Sequence, residues 1–205
     1  MNVLLVQPLA PKTYWGFQYA VGIVGKGAPH PPLGLATLAA LLPDRWNLRI
    51  LDLNVTRLRD DDLRWADGIA WGTPTRYGNM SAQMKQFVDT TGGLWLKGEL
   101  EDKATGIFTS TATIHGGQET TILTALVPLI HLGMVFVGTP YGQNPQILVT
   151  DGIGGSPYGP GTLAGTDGSR QPVEAELTTA RNLGSRLARV AGRLKDLRVS
   201  RASAP

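Results

Sequence analysis

The chain has 205 residues, 42% of them hydrophobic and 17% charged, with 26 Gly, 14 Pro and no Cys, a length that suits one large domain or two very small ones. The absence of cysteine excludes disulfides, thiolate metal sites, iron–sulfur clusters and a cysteine nucleophile. The net charge of +3 belongs to the tail: residues 180–205 hold seven of the 19 basic groups and one of the 16 acidic ones, Asp196, so the basicity reads as a solvated helix face and no nucleic-acid footprint is expected.

In chain order, Val3–Val6 is a fully apolar run that suits a buried strand. Met1–Pro8 has no basic region ahead of that run, so it does not read as a secretory signal. Leu33, Leu35, Leu38, Ala39, Leu41 and Leu42 form a helical pattern stopped by Pro43. Leu48–Leu53 is the next strand, Asp60–Trp65 a short acidic helix and Gly68–Thr73 a third strand. A clearer helix starts near Asn79–Ser81, both good N-cap types. Met80, Met84, Phe87 and Val88 line one of its faces, and Gly92–Gly93 is expected to stop it. Gly106–Thr111 reads as a fourth strand. Ile122, Ala125, Leu126, Leu129 and Ile130 give another helix, in which Pro128 predicts a kink. Met134–Val137 is the fifth strand, and Leu177 to Leu194 form a long amphipathic helix whose other face carries Arg181, Arg186, Arg189 and Arg193.

Strands alternating with helices imply a parallel sheet covered on both faces. The count fits an α/β, flavodoxin-like doubly wound sheet of five parallel strands, read as a single domain over 1–205. All apolar runs are strand-sized, so no membrane span is expected and the protein reads as soluble and cytoplasmic. Two connections break the rhythm: Leu9–Pro32, and Gly138–Pro172 with nine Gly and five Pro. Loops of this size inside a compact domain are often functional.

Ligands of such sheets sit beyond the carboxyl ends of the strands. The loops leaving those ends carry Thr73-Pro-Thr-Arg-Tyr-Gly-Asn79 and Ser110-Thr-Ala-Thr-Ile-His-Gly-Gly-Gln118, followed by the Gly/Pro-rich stretch. Small hydroxyl residues and glycines let backbone N–H groups approach a ligand, and Tyr77 can stack on a flat heterocycle. Together they predict a pocket for a planar, hydrogen-bonding cofactor. Taken singly, His131 reads as a core or interface histidine, His115 as an exposed loop residue and Trp95 as a core residue.

Gly72-Thr-Pro-Thr-Arg-Tyr-Gly-Asn-Met-Ser81, Gly92-Gly-Leu-Trp95, His115-Gly-Gly-Gln-Glu-Thr120 and Ala164-Gly-Thr-Asp-Gly-Ser-Arg-Gln-Pro172 resemble, in that order, the WrbA-type NAD(P)H:quinone oxidoreductases. The likeness runs from about Ala66 to Lys195. It implies a flavodoxin-like FMN enzyme that passes hydride from nicotinamide to the flavin and two electrons on to a quinone. It places Thr75, Arg76, Tyr77, Gly78 and Asn79 at the flavin ring. Ser110, Thr111, Ala112, Thr113, Ile114, His115 and Gly116 fall on its pyrimidine and ribityl side. His131 would reach a flavin from a neighbouring subunit, Trp95 would line the quinone site, and the protein would form a homo-oligomer, dimer or tetramer. No metal is implied.

Residues 1–67 do not fit that family. An FMN site of this kind needs a short Ser/Thr- and Gly-bearing loop after the first strand, opening a helix whose N–H groups hold the phosphate. Val6-Gln-Pro-Leu-Ala-Pro-Lys-Thr-Tyr-Trp-Gly16 stands there instead, with two prolines that remove donors. Val3-Leu-Leu-Val-Gln-Pro8, Thr13-Tyr-Trp-Gly-Phe17, Pro31-Pro-Leu-Gly-Leu-Ala36 and Asp52-Leu-Asn54 resemble the cobalamin-binding N-terminal domain of radical SAM enzymes. The change of likeness near Ala66–Gly68 predicts a chimera, engineered rather than natural, that keeps most of an FMN ring pocket and has weakened or lost phosphate binding. Lys12, Thr13 or Gly25-Lys-Gly27 are candidate substitutes for the missing donors. The alternatives are a folded scaffold without cofactor or activity and, ranked last, a cobalamin-binding module.

Overall fold

The computed structural model describes residues 2–7, 47–52 and 59–202. Strands β1 (Asn2–Gln7), β2 (Asn47–Asp52), β3 (Gly68–Pro74), β4 (Ala104–Thr111) and β5 (Val135–Phe136) lie in the order β2-β1-β3-β4-β5. Every pairing is parallel, and the strand order is that of flavodoxin. The helix pattern at Leu33–Leu42, the connection Leu9–Pro32 and the candidate phosphate donors Lys12, Thr13 and Gly25–Gly27 lie outside the described residues.

The strands are apolar on both faces because both faces are covered. Leu4, Val6, Ile69, Trp71 and Ile107 join Met84, Leu94, Ile122 and Leu129 on one side. Val3, Leu5, Ala70 and Ala104 meet Leu183, Leu187 and Ala191 on the other. The first side is covered by α2 (Ala82–Asp89), α3 (Gly92–Leu96) and α4 (Gln118–His131), the second by α5 (Glu174–Ala202). Each such fully buried aliphatic side chain is worth about 1.5–3 kcal/mol relative to exposure.

Below the sheet, α1 (Asp60–Trp65) ends on the buried Lys103, whose Nζ donates to the carbonyls of Leu63, Arg64 and Ala66 at 2.7–2.8 Å. Burial lowers its pKa to about 8, so at neutral pH the ammonium still caps that helix. Asp67, also buried, accepts from Lys195 and Arg198 of α5 and from the Asn2 N–H.

Three expectations meet a different local structure. Ser81 caps α2, accepting from the Met84 N–H, but the helix ends at Asp89, ahead of Gly92–Gly93. Thr90 and Thr91 hydroxyls return to the carbonyls of Phe87 and Val88 at 2.7 Å, and the two glycines open α3 instead. Pro128 lies inside α4, which continues past it to His131, although it leaves the Thr124 carbonyl without its helical donor. The Gly/Pro-rich stretch is not one loop. A short strand β6 (Gly161–Leu163) pairs with Thr109–Thr111 of β4, on the edge where β5 pairs with Ala104–Thr105. The fifth sheet position is therefore one interrupted strand, with an insertion at 138–160 bulging from it.

That insertion closes on itself: the Thr139 N–H donates to the Pro157 carbonyl at 2.9 Å and its hydroxyl to that of Ser156 at 2.6 Å. Asn182 of α5 donates to the Gln143 carbonyl and Gln146 to the Thr179 hydroxyl, docking the bulge on α5. Gly159 permits re-entry, since a Cβ there would lie 2.3 Å from the Ile107 carbonyl oxygen.

Candidate functional site

The β3–α2 connection makes a tight turn at the carboxyl end of β3. Arg76 and Asn79 exchange backbone hydrogen bonds of 2.8 and 3.1 Å, and the two residues between them, Tyr77 and Gly78, have φ of 52° and 77°. Positive φ at both central positions is the geometry of a type I′ turn. It leaves the Tyr77 ring fully in solvent.

Threonines bolt this turn to the next loop. The Thr75 N–H donates to the Ser110 carbonyl at 3.0 Å. Thr75 Oγ1 accepts from the Gly78 N–H and lies 2.7 Å from Thr121 Oγ1. Thr124 Oγ1 donates to the Gly78 carbonyl at 3.1 Å. Gly117, at φ 93°, starts α4 against Gly78.

The β4–α4 loop then folds over its own end. Thr111 Oγ1 and the Gly116 N–H both donate to the Thr113 carbonyl, at 2.8 and 3.1 Å. Ala112, Thr113, Ile114 and His115 are exposed, and their N–H groups have no acceptor among the described residues. A row of amide donors beside a solvent-facing aromatic ring suits a flat heterocycle with carbonyl groups along one edge.

The structure thus brings Thr75, Arg76, Tyr77, Gly78 and Asn79 together with Ser110, Thr111, Ala112, Thr113, Ile114, His115 and Gly116. It does not bring His131 to them. That residue ends α4, about 20 Å along the axis from Gly117 for a helix of 14 residues. Trp95 is exposed on α3, away from both loops in sequence.

Two residues that the sequence reading passed over organise the site from behind. Gln118, buried at the first position of α4, donates to Thr111 Oγ1 at 3.0 Å and to the Thr162 carbonyl, and accepts from the Gly155 N–H at 2.9 Å. Glu176, 3% exposed, accepts from the N–H groups of Gly154, Val173 and Leu163, the Thr162 hydroxyl and the Arg170 guanidinium. Burial pushes its carboxyl up, and those hydrogen bonds outweigh burial and hold it below its ordinary value. A Glu three residues into a helix is a local signal only for the Val173 contact; the other donors come from Gly154 to Arg170.

Residues 49–146 match the family described as NADPH-dependent FMN reductase. A NAD(P)H dehydrogenase (quinone) from Geobacter metallireducens is 56% identical over 135 residues, 66% of each chain. Over that stretch the chain is similar to flavodoxin-like FMN reductases. Another relative of the same description, from Aromatoleum aromaticum, is 52% identical over 136 residues, and the chain spans 66% of the length of both relatives. The crystal structure of a flavodoxin, WrbA-like protein from Agrobacterium tumefaciens superposes with a TM-score of 0.60 at 22% identity, over 94% of this chain and 98% of that one, and so agrees on the fold. The family match begins at residue 49, inside β2 and ahead of the joint expected near Ala66–Gly68.

Proposed function

We propose that this chain is an FMN-dependent NAD(P)H:quinone oxidoreductase. The observation that carries the reading is the pair of loops Thr75–Asn79 and Thr111–Gly116, locked to each other at the carboxyl ends of β3 and β4. Its chemistry supports FMN: the N–H groups of residues 112–115 would donate to the carbonyl and imide edge of the ring, and Tyr77 would cover an apolar face. The hydroxyls of Ser110 and Thr113 would serve the ribityl chain, and Trp95 would border the acceptor. Bound flavin supplies two-electron transfer between a nicotinamide and a quinone. The protein's part is to hold the ring and limit water, so no side-chain acid or base is obligatory. The printed names of the relatives support nicotinamide and quinone as partners.

The test is a titration of the purified protein with FMN, read by quenching of flavin fluorescence, followed by NADH- and NADPH-dependent quinone reduction. Saturable quenching that Arg76→Ala weakens about ten-fold is expected. A protein that leaves FMN fluorescence unchanged favours the scaffold reading, and a coloured complex with cobalamin the cobalamin-binding one.

Weakened phosphate anchoring is part of the same proposal. It rests on the two prolines of Val6–Gly16, since that turn lies outside the described residues. Charge-assisted bonds to an anion contribute about 1.5–3 kcal/mol each, so two of them separate FMN from riboflavin by a factor of hundreds or more. Without the cradle, FMN and riboflavin bind within about ten-fold of each other. A preference for FMN above a hundred-fold refutes the weakened anchor and leaves the ring site standing.

Self-association completes the proposal. Leu123, Val127 and Ile130 stand 40%, 54% and 58% exposed on one face of α4, an apolar stripe ending at His131. Such a patch supports an isologous contact, through which His131 would reach a neighbouring ring.

A further inference from the structure

We infer that Gln118 and Glu176 are positioning residues that make the insertion at 138–160 and the flavin-ring loop one mechanical unit, so that ring binding and order in the insertion are a single equilibrium. The inference rests on the FMN reading above and assigns that site two buried side chains that touch no part of the ring.

The insertion returns to the sheet through Gly154 and Gly155, two consecutive residues whose N–H groups point in different directions. The Gly154 N–H goes to the Glu176 carboxylate at 2.8 Å and the Gly155 N–H to the Gln118 amide oxygen at 2.9 Å. The same Gln118 side chain uses its other end on Thr111 Oγ1, and Thr111 Oγ1 fixes the Thr113 carbonyl. One amide thus spans from the insertion to the residues whose N–H groups face the ring. Glu176 closes the other side. It ties Gly154 to β6 through Thr162 and Leu163, and to the loop after β6 through Arg170 and Val173. Arg170 also donates to the Leu163 carbonyl at 2.6 Å.

At Gly154 and Gly161 the backbone packs tightly into this network. A Cβ at Gly154 would lie 2.6 Å from the Gly161 carbonyl oxygen, and one at Gly161 would lie 2.0 Å from Gln118 Oε1. A shift of the ring loop that moved Thr111 would therefore break either the Gln118–Thr111 or the Gln118–Gly155 bond, leaving a buried amide partner unmatched. The insertion, in turn, carries the exposed Tyr141, Leu148 and Tyr158. Coupling by a shared rigid element, in which binding at one place lowers the cost of order at another, follows from linkage.

Amide hydrogen exchange on the full chain, with and without saturating FMN, tests this beside fluorescence titration. In the wild type, FMN slows exchange over residues 150–163 at least ten-fold, as well as over 75–79 and 111–117. In Gln118→Leu, which keeps the volume and removes the polar bridge, FMN still protects 75–79, but its protection of 150–163 falls below two-fold and its affinity drops about ten- to thirty-fold. Glu176→Gln turns one carboxylate oxygen into a donor, which then faces either the Gly154 and Leu163 N–H groups or the Val173 N–H. It speeds exchange of 150–163 already in the absence of FMN. Should Glu176→Gln not fold, Thr162→Val removes one of the carboxylate's donors and is expected to give a smaller effect of the same sign. Wild-type protein that binds FMN without slowing exchange over 150–163 overturns the coupling alone, as does Gln118→Leu with full FMN-dependent protection there. Wild-type protein that binds no FMN removes the reading beneath it, and the coupling with it.

Discussion

Tyr77 holds a backbone conformation that side chains with a Cβ adopt at a cost of about 1–2 kcal/mol. Its ring makes no compensating contact in the described fold. Asparagine tolerates the same φ, so Tyr77→Asn leaves the melting temperature within a few degrees while weakening FMN about ten-fold, a split that thermal unfolding and fluorescence titration read separately. Gly78 is the opposite case. At φ 77°, and with a Cβ that would stand 2.7 Å from Thr120 Oγ1, Gly78→Ala disturbs the joint between the two loops and lowers stability by about 1–3 kcal/mol, measurable by urea unfolding without ligand. The sequence marked Tyr77 by its ring and Gly78 by the family resemblance, but not the turn the two residues make. Gln118 was not legible. Its partners lie 7, 37 and 44 residues away, and nothing in an isolated Gly-Gly-Gln names them.

The elements were legible where periodicity alone decides them, and less so where hydrogen bonds do. The apolar runs of β1 and β3 and the spacing in α4 and α5 carry their own signal. The fifth strand is broken by an excursion whose return, Gly161–Leu163, is too short to stand out between glycines and prolines. Its stability is lent by α5 through Glu176, and that makes it sensitive to acid. The carboxyl of Glu176 lies below its unfolded value of 4.5 in the folded chain. The unfolded state therefore binds more protons in the window beneath 4.5, and stability contributed by this group, present at neutral pH, is lost as pH falls through the folded value. Urea unfolding at pH 7 shows Glu176→Gln less stable by about 2–4 kcal/mol, and the gap to wild type narrows as pH falls below 4.5. A gap that stays constant to pH 3 would show that the carboxylate is not what holds β6. At the other end of the sheet Lys103→Met leaves three carbonyls of the α1 terminus without their donor and costs about 2–3 kcal/mol, read in the same assay at pH 7.

For the whole molecule, strand and helix alternation gave the doubly wound layout, since a parallel sheet needs a covering helix between successive strands. The phosphate end of the site was argued from residues 6–16, beyond the described parts, so only the ring end has geometry. Assembly is the remaining level. A helix of 14 residues separates His131 from the ring loops of its own chain by about 20 Å, so in the proposed assembly His131 acts on the flavin of another copy. Val127, in the middle of the exposed stripe of α4, is the place to cut. Val127→Asp introduces a charge that an apolar contact cannot solvate, and light scattering should find the wild type at a multiple of its 21.9 kDa chain and the variant at a single chain. His131→Ala then weakens FMN in the wild-type background and has no further effect on top of Val127→Asp, a coupling that a double-mutant cycle isolates. Equal losses in both backgrounds would mean that His131 acts on its own chain, by way of the fold of α4, and would separate it from the flavin altogether.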